Sequence, residues 1–118
     1  MILQYFYKDQ VDEFTFVRIP KRMLTENDFS EISLQAKILY GLFLDRLSMV
    51  EKNRWIDASG KVYIIYPLMD IEEDLNISKH KAVGCLAELE KAGLIEKKNR
   101  GGGKPSLLYV KSLERESA

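Results

Sequence analysis

The stretch Leu68–Val110, LMDIEEDLNISKHKAVGCLAELEKAGLIEKKNRGGGKPSLLYV, decides how this chain folds. Leu68, Ile71 and Leu75 stand at i, i+3 and i+7, which lays one apolar stripe along a short helix. Asn76-Ile77-Ser78 interrupts that pattern, and Ser78 is placed to cap a following helix through its side-chain oxygen. Ala82, Leu86 and Leu89, flanked by Val83, form the expected buried stripe of the second helix, and Gly93 supplies a left-handed residue to end it. Leu94-Ile95 and Leu107–Val110 then read as two strands joined by Asn99-Arg100-Gly101-Gly102-Gly103-Lys104-Pro105. Helix, tight turn, helix and glycine-tipped hairpin follow one another in the order of a winged helix-turn-helix. The unit reads as a DNA-binding head.

Upstream of it, Trp55–Tyr66 reads as a hairpin with its turn at Asp57–Gly60 and a β-branched second arm, closed by Pro67. Ser33 is expected to cap a long helix from Leu34 to about Val50. Apolar residues cover most of its circumference and leave a narrow polar arc of Lys37, Gly41, Asp45 and Ser48. Such a helix is buried on more than one side. Its second cover is either the N-terminal segment or another copy of the protein, and a homodimer is the preferred reading. Thr25, followed by Glu26 and Asp28, is expected to open a short helix, and Phe14–Ile19 is expected to be a strand ended by Pro20. Tyr5-Phe6-Tyr7 cannot turn three rings to one side, so an unpaired arm and a partner contact both remain open. The expected class is α+β: a winged helix-turn-helix with an extra N-terminal segment and β-hairpins. Residues 1–13 form an arm, 14–111 the DNA-binding domain, and 112–118 the start of a linker or a C-terminal tail.

With 118 residues the chain suffices for one domain with a core and is too short for two. Charged residues make up 31% and hydrophobic ones 46%, the usual balance of a water-soluble globular domain. No apolar run approaches the roughly 20 residues of a membrane span. The start MILQYFYKDQVDE has no basic segment ahead of an apolar one, so no signal peptide is expected. One cysteine rules out an internal disulfide and suggests a cytoplasmic setting; Cys85 is expected as a small side chain at the flank of its helix.

Net charge is zero, but its distribution is uneven. Ser78–Lys111 carries eight Lys/Arg against three Glu, a local charge of +5, and the remainder carries −5. A phosphate-facing pole requires local positive charge, whatever the average. With the Ala82/Leu86/Leu89 stripe inward, His80, Lys81, Gly84, Glu88 and Lys91 fall on the outward face, which is expected to enter the major groove. Lysine donates to guanine O6 and N7, and neutral imidazole donates or accepts. Lys79, in the first turn, suits a phosphate. Gly84 costs the helix about 1 kcal/mol relative to alanine, for close backbone approach or for packing. Glu88 repels phosphate or accepts from a cytosine amino group. The wing contributes Lys97, Lys98, Arg100 and Lys104 around three glycines, cations suited to releasing counterions from the backbone.

Neither catalysis nor a cofactor is expected. GGGK is no phosphate-binding loop, because that motif requires glycine where Lys98 stands, Ser or Thr where Pro105 stands, and a helix afterwards. His80 and Cys85 lack a third ligand of their type for zinc. Asp70, Glu72, Glu73 and Asp74 read as partners of the dipole of a short helix.

Five blocks occur in order: FTFVRIPKRMLT (Phe14–Thr25), ISLQAKILYGLFLDRLS (Ile32–Ser48), NRWIDASGKVYIIY (Asn53–Tyr66), DIEEDLNISKHKAVGCLAELEKAGLIEKK (Asp70–Lys98) and GKPSLLYVK (Gly103–Lys111). Together they resemble the N-terminal domain of the RepA_N family, plasmid replication initiators of low-GC Gram-positive bacteria, across nearly the whole chain. The resemblance implies a dimeric winged-helix domain that binds repeated double-stranded DNA sequences at a plasmid origin. It also implies host replication proteins recruited through a separate C-terminal domain after a linker, so that this chain corresponds to the DNA-binding part. By position, Lys79, His80 and Lys81 open the recognition helix after Ser78, and Lys98, Arg100 and Lys104 belong to the wing. The family tends to place arginine and small polar residues just after the Ser78 position, so Lys79-His80-Lys81 is a departure that leaves the target sequence open. A winged-helix transcriptional regulator shares these head features, and a protein-interaction winged helix is the alternative from another class; the local +5 counts against the latter.

Overall fold

The computed structural model describes residues 1–8 and 15–114. Ser33 caps α2 (Leu34–Arg46), its hydroxyl accepting from the Ala36 amide at 3.2 Å. A cap of this kind is worth about 1 kcal/mol. The helix ends earlier than its apolar pattern suggests. It tightens into a 3-10 turn at Leu47–Met49 and resumes as α3 (Val50–Asn53), closed by Arg54 in the left-handed conformation. The tightening coincides with the anchoring of Arg46. Its guanidinium donates to the Ile65 carbonyl at 3.0 Å, stacks 3.6 Å above the Tyr66 ring and lies 3.6 Å from Asp70.

Three expectations upstream are corrected. Thr25 ends a short helix instead of opening one: α1 (Arg22–Thr25) starts in a turn where the Pro20 carbonyl accepts from Met23, whose side chain is fully buried. A 3-10 turn follows at Asn27–Phe29. Thr15–Ile19 forms no strand, and Phe14 lies outside the described residues. Val17–Ile19 instead crosses the polar arc of α2 at Gly41, where a β-carbon would sit 2.8 Å from the Arg18 carbonyl oxygen. That arc is therefore a covered surface at its N-terminal end, and Lys37 there is only 7% exposed. The third correction concerns Trp55–Tyr66. Its two arms meet at a single bridge, Ile56 with Val62, around a turn held by the Asp57 carboxylate, which accepts from the Ser59 and Lys61 amides at 2.9 Å each. The β-branched second arm leaves to become β1 (Ile64–Ile65), because pairing with the wing buries Ile64 completely.

Downstream, the order of elements is the expected one. α4 (Leu68–Leu75) buries Ile71 and ends at Asn76 in the left-handed conformation. α5 (Lys79–Lys91) begins at Ser78, whose hydroxyl accepts from the Lys81 amide at 3.2 Å. β2 (Ile95–Lys98) and β3 (Leu107–Val110) pair antiparallel with Ile95 opposite Val110 and Lys98 opposite Leu107. The sheet order is β1-β3-β2, so the inner strand of the wing is stapled on both edges. One core, including Tyr40, Phe43, Ile71, Leu89 and Leu108, joins α2, α4 and α5 to this sheet. The fold is an α+β winged helix-turn-helix. Of the expected arm, residues 9–13 lie outside the described residues, as does the tail from 115 onward.

Candidate nucleic-acid interface

The inward face of α5 is set by Ala82, Cys85 and Leu89, all buried, with Leu86 half-buried. Cys85, 2% exposed, is a core residue and not a flanking one, and burial pushes its thiol pKa up. This rotates the helix slightly from the orientation that its apolar spacing suggests. At about 100° per residue, the positions opposite that face are His80, Gly84, Ala87 and Lys91, all exposed. Val83 belongs with the outward set: it is 49% exposed instead of flanking the buried stripe.

Glu88 leaves the outward set. Its carboxylate accepts from the Ser33 amide at 2.7 Å and from the Ser33 hydroxyl at 2.8 Å, which binds α5 to the N-terminus of α2. The carboxylate therefore satisfies an orphan helix-end amide and faces the positive end of the α2 dipole. A β-carbon added at Gly84 would meet no atom within 4 Å, so packing does not require a glycine there.

Lys79, His80 and Lys81 are exposed in the first turn of α5 behind the Ser78 cap. Lys91 lies twelve positions after Lys79, about 18 Å along the helix axis, so the two lysines stand at opposite ends of α5. The wing stands beside the helix. Val83, Ala87 and Glu90 of α5 and Lys97, Lys104, Pro105 and Ser106 of the wing line one open groove of about 420 Å³.

The wing tip is a closed loop. Gly101, Gly102 and Gly103 all have positive φ, a run that side chains rarely tolerate. Arg100 Nε donates to the Pro105 carbonyl at 2.8 Å, and Ser106 Oγ donates to Asn99 Oδ1 at 2.8 Å. Arg100 is thus an internal brace as well as an exposed cation, whereas Lys98 and Lys104 are exposed. At its base the wing is tied to the upstream turn: the Tyr109 hydroxyl donates to Asp57 at 3.0 Å, and the Tyr109 ring packs edge-on against Tyr63. Backbone donation from Lys61, with Tyr109 contributing, holds the Asp57 carboxyl below its ordinary range. The spacing is compatible with an 82/85/89 stripe as well as with 82/86/89, and nothing within the helix chooses between them. Nothing in the sequence pointed to the Glu88–Ser33 or Tyr109–Asp57 pairs.

The family described as Replication initiator protein A (RepA) N-terminus, RepA_N, matches residues 15–118. The chain belongs to this family. Solved structures sharing 32% of residues with it carry the same fold. One, described as the N-terminal domain of a DNA binding protein, superposes with a TM-score of 0.77 over 98% of this chain and 88% of that one. A second, described as a Rep-DNA complex, gives 0.78 over 97% and 88%. A third, described as an MDR initiator, gives 0.75 over 96% and 89%. A 41 kDa protein of Lactobacillus helveticus is 26% identical over 87 residues, which span 74% of this chain and 25% of that protein. This RepA_N chain thus matches about a quarter of that relative's length. Among the described residues no helix is long and apolar enough to cross a membrane.

Proposed function

We propose that this RepA_N domain binds double-stranded DNA at the repeats of a plasmid origin as part of replication initiation. The observation that carries the reading is the shared groove: the outward face of α5 and the lysine-bearing wing stand side by side. α5 enters the major groove, and the wing follows the backbone next to it. Membership of the initiator family and likeness to a structure described as a Rep-DNA complex support the reading. The domain acts by binding, without catalysis, in the cytoplasm, where plasmid DNA resides. Host replication proteins are engaged by parts of the initiator other than this head.

A homodimer belongs to the same proposal. Met1, Ile2, Leu3 and Tyr5 are exposed at the N-terminus, and Leu34 and Ile38 are exposed on α2. Apolar surface of this kind is suited to a second copy. Sedimentation equilibrium tests it, with a monomer at high concentration as the opposing result.

Fluorescence anisotropy on a fragment of the cognate origin and on a scrambled fragment, across a salt series, tests the DNA-binding reading. Tighter origin binding with a steep salt slope is expected. Failure to bind either fragment at low salt would remove it and advance a protein-binding role.

A further inference from the structure

We propose that Val83 is a specificity-determining residue that reads the C5-methyl group of thymine in the major groove; this rests on the DNA-binding reading above. The middle turn of α5 offers a groove almost nothing to hydrogen-bond with. Its outward positions are Val83, Gly84 and Ala87, and none of these side chains donates or accepts. The acceptor expected there, Glu88, is turned away and occupied by Ser33. Side-chain donors lie towards the two ends of the face, at His80 and Lys91, and Glu90 sits at the wing side with Lys97 and Lys104 across the groove.

Of the groups that base pairs display in the major groove, the thymine methyl is the one that an apolar side chain matches. Val83 is half exposed, an uncovered branched side chain on the wall of the groove. Gly84 and Ala87 beside it keep the helix surface low, and a β-carbon added at Gly84 would meet no other part of the fold within 4 Å. Small neighbours let the backbone come close enough for a valine, a short side chain, to touch a methyl group on the groove floor. A longer apolar residue would not need that approach. The target repeat therefore carries thymine opposite the middle of α5, flanked by bases read from the two ends of the helix.

The test uses the cognate origin fragment amplified either with dTTP or with dUTP. Replacing thymine by uracil removes the methyl and keeps every hydrogen-bonding group. The wild-type protein is expected to bind the thymine fragment more tightly by at least about fourfold, the value of one buried methyl group. Val83→Ala, and Val83→Ser as a second truncation, are expected to bring the ratio towards one while the melting temperature stays near that of the wild type. Equal wild-type binding to both fragments, with origin still preferred over scrambled DNA, overturns the inference and leaves the DNA-binding reading standing. A ratio that survives both truncations assigns the methyl effect to DNA shape and also overturns it. Absence of any preference for the origin overturns both.

Discussion

Glu88 and Ser33, 55 residues apart in sequence, share one clamp: the carboxylate accepts both the backbone amide and the hydroxyl of the serine. The same Ser33 hydroxyl also accepts from Ala36, so the cap of α2 and the lock on α5 are a single unit. α5 is thereby held at a fixed angle to α2, a core helix of the same length. Replacing Glu88 with alanine is expected to lower unfolding free energy by about 1–2 kcal/mol, as for a hydrogen bond to a charged group near the surface. Binding to origin and scrambled duplexes should weaken by the same factor. Urea denaturation and anisotropy check this; an altered sequence preference at unchanged stability would return Glu88 to the base-reading set.

Gly41 and Gly84 are both helical glycines, and they should respond oppositely to alanine. Helix propensity favours alanine at either site by about 1 kcal/mol. At Gly41 the new β-carbon meets the Arg18 carbonyl oxygen at 2.8 Å and the side chains of Val17 and Ile19 at 3.0 Å. Overpacking against backbone costs about 1–3 kcal/mol, so Gly41→Ala is expected to be net destabilising. At Gly84 nothing intervenes, and Gly84→Ala is expected to raise the melting temperature while lowering affinity for origin DNA. Thermal melts and anisotropy on the two variants decide it; unchanged affinity in Gly84→Ala would mean that the α5 backbone stays clear of the bases.

Lys98 and Lys104 are exposed cations of the wing, free of the bracing role of Arg100. Alanine at either is expected to reduce the slope of log affinity against log salt by about 0.9, the value of one phosphate contact on duplex DNA. The loss should be the same for origin and scrambled fragments. A loss confined to the origin fragment would instead place that lysine on a base.

Tyr66 should govern part of the alkaline stability limit. Its ring lies beneath Arg46 and edge-on to Phe43, and its hydroxyl donates to Asp74. Burial, and then that hydrogen bond, hold its pKa well above the ordinary phenol value. The folded state therefore favours the neutral phenol. Its contribution is complete below the ordinary value of about 10 and is lost as pH climbs beyond it. Tyr66→Phe is expected to be less stable at neutral pH and to lose less stability than the wild type between about pH 9 and pH 11. Parallel losses in denaturation curves across that window would exclude Tyr66 as the titrating group.

The acidic cluster on α4 marks a limit of what neighbours along the chain reveal. Asp70 and Asp74 read as dipole partners of their own helix, yet they meet Arg46 and Tyr66, residues of α2 and of the segment preceding α4. The same holds for the polar arc of α2. Its residues set it apart from the apolar circumference but do not name what lies on it, and at Gly41 that is the crossing of Val17–Ile19.

What the amino-acid sequence determined alone was whatever depends on neighbours within one or two turns. The order of helix, turn, helix and wing followed from apolar spacing, from the Ser33 and Ser78 caps and from Gly93, because a cap or a left-handed residue acts through its own backbone. The local charge of +5 and the family resemblance were equally readable. Only the tertiary structure decided the rotation of α5 about its axis, which took Glu88 from the groove and gave it Val83. It also decided that Ile64–Ile65 joins the wing instead of the adjacent arm. Both depend on burial against elements distant in the chain: a side chain a quarter turn from the core axis is inward or outward according to what stands beside it, and spacing along one helix cannot supply that neighbour.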